Sequence, residues 1–317
     1  MRIASPRVKR LSAALAVLLA AIPAAWLSSR AGRAVPEVRL LEAEAAGVSR
    51  VEIRDRGISI LLEREGPGWV LLDGTLRLPA RSTRVEALLA ELRTRRRLEE
   101  AGRTGAASAR LGLAEGAGLI LLLDGSGNPV LELRIGDFAV DGASLYVARG
   151  GDPRSWSTDR AFASFLDTDR GRWLELGLGG TFARAEDATA IVVRGSLTLD
   201  YASGERFEED YRLYRDEEGT WRIDGGRETA LDQGRVDALV RMLLGLEADD
   251  IAGAADPDSF VPDLSISLLV GGSPREWRIR EVSGGFEIEA AAAPWRYRAG
   301  AARLRSVLTG PEALLER

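Results

Sequence analysis

The chain has 317 residues, 45% hydrophobic and 29% charged, a composition suited to one or two packed globular domains. It has no cysteine, no histidine and a single lysine, Lys9, which excludes disulfides, thiolate and imidazole chemistry, zinc–thiolate sites and, in the body, a Schiff-base lysine. The 43 basic residues less the four at Arg2, Arg7, Lys9 and Arg10 leave 39 against 48 acidic ones, and a net-acidic body argues against nonspecific nucleic-acid binding and against adhesion of the whole body to anionic lipid.

Those four basic residues precede an uncharged run, Leu11 to Leu27. As a helix it spans about 25 Å, slightly short of a hydrocarbon core. We read it as a retained transmembrane anchor with Trp26 at the interface; a signal cleaved near Ile22-Pro23-Ala24 is the alternative. Either way the positive-inside rule keeps the N-terminus in the cytoplasm and exports the body. Ser28 to Pro36 reads as a tether.

Val51 to Ile53, Ile58 to Glu63 and Trp69 to Leu72 read as strands, the first two around an Arg-Gly turn. Thr83-x-x-Glu86 predicts a capping box, and Val85, Leu88, Leu89 and Leu92 follow at helical spacing. The helix ends in Arg93, Arg95, Arg96 and Arg97, cations suited to the negative end of its dipole. A Gly/Ala-rich loop leads to Leu119–Leu123 and Val130–Ile135, joined by the turn Asp124 to Pro129. Leu145 to Val147 predicts a strand and Ala161 to Leu166 a short helix.

The second half repeats this order. Ile191–Val193, Leu197–Tyr201, Tyr211–Tyr214 and the Trp221 segment read as strands. Val236, Leu239, Val240, Leu243 and Leu244 mark a second amphipathic helix. Ser265–Val270 and Glu276–Arg280 flank a Gly-Gly turn, with a strand at Phe286 and a helix at Ala301 to Leu308 after them. Arg84-Val-Glu-Ala-Leu88 matches Arg235-Val-Asp-Ala-Leu239 closely. The expected fold is therefore α+β. An N-terminal transmembrane helix precedes two similar tandem modules, each a mostly antiparallel sheet packed with one main amphipathic helix. The expected divisions are 1–36 for basic tail, anchor and tether, 37–180 for the first module and 181–317 for the second.

In order, Gly68-Trp69-Val70, Pro79-Ala80 leading into the first helix, Arg110-Leu111-Gly112-Leu113, Ile135-Gly136, Tyr146-Val147 and Arg172-Trp173-Leu174 resemble the bacterial family catalogued as domain of unknown function 4340. The match is best over residues 38 to 180, with Leu111 where the family usually has an aromatic residue. The resemblance implies a membrane segment ahead of an envelope domain and carries no catalytic residues. Some members resemble, or are encoded beside, membrane components of ABC transport systems. That implies a single-pass protein of the bacterial inner membrane with its body in the periplasm or otherwise outside the cytoplasmic membrane.

No pattern nominates a catalytic, cofactor or metal site. Asp124-x-Ser126-x-Asn128 opens like a calcium loop but has Ile135 at the twelfth position, where a carboxylate is needed, so it reads as a hairpin turn. The acidic clusters at Glu205–Asp210, Asp216–Glu218 and Glu247–Asp250 lack ligand spacing and read as solvated faces. Arg93, Arg95, Arg96 and Arg97 are candidate interaction residues for phosphate or lipid headgroups, with a helix-end role as the plainer reading. Trp69, Trp156, Trp173, Trp221, Trp277 and Trp295 suit a sugar or peptide groove, but tryptophan in short strands more often plugs the sheet–helix core, and Trp69 and Trp221, at equivalent places, read as structural core residues. The expected function is that of a non-enzymatic, membrane-anchored extracytoplasmic accessory or scaffold protein, held by residues 11–27 and associated with envelope proteins such as an ABC-type transport system. The alternative is an envelope module binding glycan or peptide in an inter-domain groove. A carboxylate-based hydrolase is the third reading, although no pair of acids is singled out for it.

Overall fold

The computed structural model describes residues 37–42, 44–103, 105–179, 184–225, 230–256, 258–291 and 293–316. The Leu11–Leu27 run lies outside the described residues, and no helix among the described residues is long and apolar enough to cross a membrane. Contacts group the chain into two compact units. The first comprises the described residues up to Val48 with Arg54–Gly57 and Leu88–Leu166, the second Ser49–Ile53, Ile58–Ala87 and the chain from Asp167 onward.

The first half runs β1 (Glu37–Arg39), β2 (Arg50–Asp55), β3 (Ile58–Glu65), β4 (Gly68–Asp73), β5 (Leu76–Pro79), α1 (Ser82–Arg93), β6 (Arg95–Arg97), β7 (Glu99–Arg103), α2 (Gly105–Arg110), β8 (Gly118–Leu123), β9 (Pro129–Phe138), β10 (Ser144–Arg149), β11 (Arg154–Asp159) and α3 (Arg170–Trp173). The second runs β12 (Ala188–Asp200), β13 (Glu205–Arg215), β14 (Trp221–Ile223), α4 (Gln233–Leu244), β15 (Asp250–Ala254), β16 (Leu264–Val270), β17 (Ser273–Val282), β18 (Gly285–Ala290), β19 (Trp295–Ala299) and α5 (Ala301–Arg305).

This corrects the expected fold class. The described residues are predominantly antiparallel β in three sheets, not a helix-packed α+β fold, and the transmembrane helix expected at Leu11–Leu27 lies outside them. Among the described residues only α1 and α4 reach 12 residues, and each buries one stripe: Val85, Leu88, Leu89 and Leu92 in α1, and Val236, Leu239, Val240 and Leu243 in α4. The sequence pattern hid strand because β6, β7 and β11 read RRR, EEAGR and RSWSTD, almost without apolar alternation. Pairing with neighbouring strands, not burial of an apolar face, makes these segments extended. The expected capping box is not made either: Glu86 accepts instead from the Trp69 indole.

Two of the sheets share one strand order. The nine-stranded sheet is β5-β4-β3-β2-β8-β9-β10-β11-β7 and the eight-stranded one β14-β13-β12-β16-β17-β18-β19-β15, so beyond the extra edge strand β5 they correspond strand for strand. The registers correspond too. Ile120↔Leu133, Leu133↔Arg149 and Val147↔Trp156 in one sheet match Ile266↔Trp277, Trp277↔Ala290 and Ile288↔Tyr297 in the other. A bulge skips Ala101 opposite β11 and Ala252 opposite β19, the same place in each. The third sheet is the pair β1–β6. In the second unit, residues 174–178 lie between Ala80 and Glu247, with bridges Ala80↔Leu174 and Gly177↔Glu247.

Candidate functional site

Strand alternation places Leu133 of β9, Val147 and Arg149 of β10 and Trp156 of β11 on one face of the first sheet. With Leu40 and Leu98 they line a hollow of about 270 Å³. Leu40, Leu133 and Val147 are buried and form its floor. A larger hollow of about 400 Å³, lined by Arg54, Arg56, Arg134 and the loop 114–117, has no buried residue in its lining. An apolar floor ringed by a few polar groups is the usual form of a binding site, and of these two hollows the smaller has it.

One wall of that hollow is fixed by Asp152, which grips Arg154 twice, from Nε (2.9 Å) and Nη2 (3.1 Å). The same carboxylate accepts the Trp156 indole N–H at 3.3 Å, and the Arg154 guanidinium lies 4.5 Å from the Trp156 ring centroid. The hydrogen-bonded Arg154 guanidinium, with its backbone N–H and the Trp156 indole, holds the Asp152 carboxyl below the usual range. The rim carries two cations, Arg39, exposed, and Arg149, half-buried, and one exposed acid, Glu42. Among the described residues neither arginine makes a side-chain hydrogen bond or ion pair, so both guanidinium groups are open to an anion. The site has the features of a receptor for a ligand with an apolar body and a negative group.

The four arginines singled out in the sequence do not converge. Alternation along β6 exposes Arg95 and Arg97 and buries Arg96. Arg96 donates to Asp159 (2.8 Å) and to the carboxylate and carbonyl of Glu91 (2.7 and 2.8 Å), and lies 5.0 Å from the centroid of the Phe162 ring. Arg97 faces Glu37 at 3.8 Å, and the Arg93 Nε is buried without an acceptor. Trp69 and Trp221 lie in the core at 3% and 1% exposure. Each repeats the other's surroundings. The Trp69 indole donates to Glu86 (2.8 Å) and Arg64 shares that carboxylate (3.0 Å); the Trp221 indole donates to Asp237 (2.9 Å) and Arg215 shares it (2.8 Å).

Arg39, Leu133 and Arg149 carry no mark in the sequence pattern. A period-2 signal for this wall is present in Asp152-x-Arg154-x-Trp156, since alternate residues of an extended segment share a face. Asp124 closes its hairpin turn by accepting the Ser126 and Asn128 backbone N–H groups at 2.8 Å. No group of three or more acidic side chains among the described residues is placed to hold a metal ion.

No curated protein and no solved structure is significantly similar to this chain. A family model does match: the one described as Domain of unknown function (DUF4340), over residues 69–263. That span takes in Trp69, strands β5 to β15 in chain order with Trp156 among them, and the second tryptophan device at Trp221, and covers more than half of the chain; the protein belongs to the DUF4340 family.

Proposed function

We propose that this protein works by binding, as a membrane-anchored, extracytoplasmic, non-enzymatic accessory subunit held by residues 11–27. The observation that carries this reading is the Trp156 hollow, a pre-formed concavity with a rigid aromatic wall and two uncommitted guanidinium groups. Such a site recognises a partner or ligand by shape and charge. The basic N-terminus ahead of an apolar run supports export of the body, and the family's association with transport components supports an envelope partner such as an ABC-type transport system.

The test is affinity capture of the tagged full chain from native membranes in mild detergent, combined with reporter fusions at the C-terminus. Co-recovery of integral membrane proteins with an exported C-terminus is the expected outcome. A lone monomer, or a C-terminus in the cytosol, defeats the reading. The alternative, glycan or peptide binding in an inter-domain groove, is narrowed here to peptide binding in this hollow within the first unit, whose apolar floor and two open arginines suit a side chain and a neighbouring acid.

A further inference from the structure

The equivalence between the two sheets bears directly on the hollow. Leu133 and Trp277 hold the same register position, each opposite an isoleucine of the preceding strand, Ile120 or Ile266. Trp277 is fully buried, and its indole N–H donates to the Leu178 carbonyl at 3.1 Å. The hollow left beside it measures about 190 Å³ and is lined by Leu178, Ala290 and Tyr297. In the first sheet the same register carries Leu133, Arg149 and Trp156, and the hollow is larger, about 270 Å³. The chain thus shows what this position of the fold takes when it is filled from within, namely an indole. In the first sheet that filling is missing, and Ala290 is replaced by a cation.

Resting on the binding reading above, we infer that the hollow beside Leu133 receives an aromatic side chain from a partner polypeptide, with a carboxylate next to that side chain held by Arg149 and Arg39. The aromatic ring takes the place that the Trp277 indole takes in the second sheet and meets the floor of Leu133 and Val147. The Trp156 ring, already fixed by Arg154 and Asp152, supplies a wall that needs no rearrangement. The two guanidinium groups select for acid beside the aromatic. A neutral or basic segment leaves them unpaired and is rejected.

The experiment is isothermal titration of the full chain in mild detergent with an acetylated pentapeptide carrying one tryptophan flanked by glutamates. Lysine-flanked and alanine-for-tryptophan peptides serve as controls. The glutamate peptide is expected to bind one to one, about tenfold tighter than either control. Leu133→Trp, which copies the second sheet, is expected to abolish binding with no loss of thermal stability, and Arg149→Ala to weaken it about tenfold. Should Leu133→Trp fail to fold, Leu133→Phe and Arg149→Ala take its place as the deciding variants. Absence of saturable binding to the wild type, equal binding of the lysine peptide, or undiminished binding by a folded Leu133→Trp variant overturns the inference. So does binding to phosphatidylglycerol vesicles without binding to the peptide. Capture of membrane partners without peptide binding overturns this inference alone, whereas peptide binding by a chain whose C-terminus is cytosolic overturns the export reading alone.

Discussion

A Cβ added to Gly136 would sit 2.1 Å from the carbonyl oxygen of Leu111, so the β9 backbone and the turn after α2 meet at a distance only glycine allows. The Asp137 N–H donates to that same carbonyl at 3.0 Å. On the other side of the contact Gly112 has φ +70°, and a Cβ there would fall 2.6 Å from Asp137. Two short glycine elements of the sequence, Leu111-Gly112 and Ile135-Gly136, are therefore two halves of one contact. Gly136→Ala is expected to lower unfolding stability by about 2–3 kcal/mol, because backbone and not a flexible side chain stands in the way. Gly125→Ala, in a hairpin turn with nothing within 4 Å, is the control and should stay within about 0.5 kcal/mol. Urea titration of both variants decides the matter; equal midpoints would show that the turn yields.

The paired tryptophan devices make a second expectation. Removing the carboxylate in Glu86→Ala leaves the Trp69 indole N–H without its acceptor and Arg64 without its ion-pair partner there. Asp237→Ala does the same to Trp221 and Arg215. Each is expected to cost about 1–3 kcal/mol, the usual penalty for a buried donor left unmade. A double-mutant cycle of Glu86→Ala with Trp69→Phe should show a coupling of about 1 kcal/mol, since the phenyl ring has no N–H to orphan. Additive losses in that cycle would mean that the indole bond contributes nothing.

The helical stripes and the hairpins were legible in the sequence because they follow period-3.6 spacing and turn chemistry. Val85 to Leu92 is buried at the expected positions, and the Asp124 turn is closed by its own side chain. Strand pairing between distant segments was not legible. Nothing in Arg95-Arg-Arg97 distinguishes a cationic helix end from a strand whose middle residue is buried in a salt-bridged clamp; that outcome depends on Asp159 and Phe162, more than 60 residues away. Glu86 looked like a capping residue since a carboxylate at that spacing usually is one, but a tryptophan 17 residues earlier reaches it. The hollow was hidden for a similar reason. Leu133 is an ordinary core residue in sequence, and its meaning emerges only when the register sets it against Trp277.

The arginine cluster yields a third expectation. Arg96 has a side chain 2% exposed and holds both Glu91 and Asp159, so Arg96→Ala is expected to cost about 3 kcal/mol by leaving these acids and the Phe162 face without their partner. Arg97 is 74% exposed and 3.8 Å from Glu37, and Arg97→Ala should change stability by less than about 0.5 kcal/mol. Chemical denaturation separates the two. A marginal loss for Arg96→Ala would show that the clamp is dispensable. If Arg95 and Arg97 contact a partner, Arg95→Ala with Arg97→Ala should lower recovery of captured membrane proteins while leaving the unfolding midpoint in place.

The wall of the hollow should be acid-sensitive, and the sign follows from Asp152. Its carboxyl is held below the ordinary range, first by the side-chain bond from Arg154 and then by the Arg154 backbone N–H and the Trp156 indole. A carboxyl depressed in the folded state binds its proton more readily in the unfolded chain, whose aspartates titrate near about 3.9. The stabilisation it provides is thus complete above that value and disappears as pH falls through the depressed folded-state value. Protonation also releases one grip on Arg154, which then no longer holds its place over the Trp156 ring. Asp152→Asn removes the charge at every pH. The stability gap between wild type and Asp152→Asn is therefore expected to be constant from about pH 7 to about pH 5 and to close toward about pH 2, and affinity for the glutamate-flanked peptide should fall in the same direction. Unfolding free energies of the two proteins measured across that range give the answer by difference, which cancels the titration of the other acids. A gap that holds its size down to about pH 2 would place the Arg154–Asp152 pair outside the forces that shape this wall.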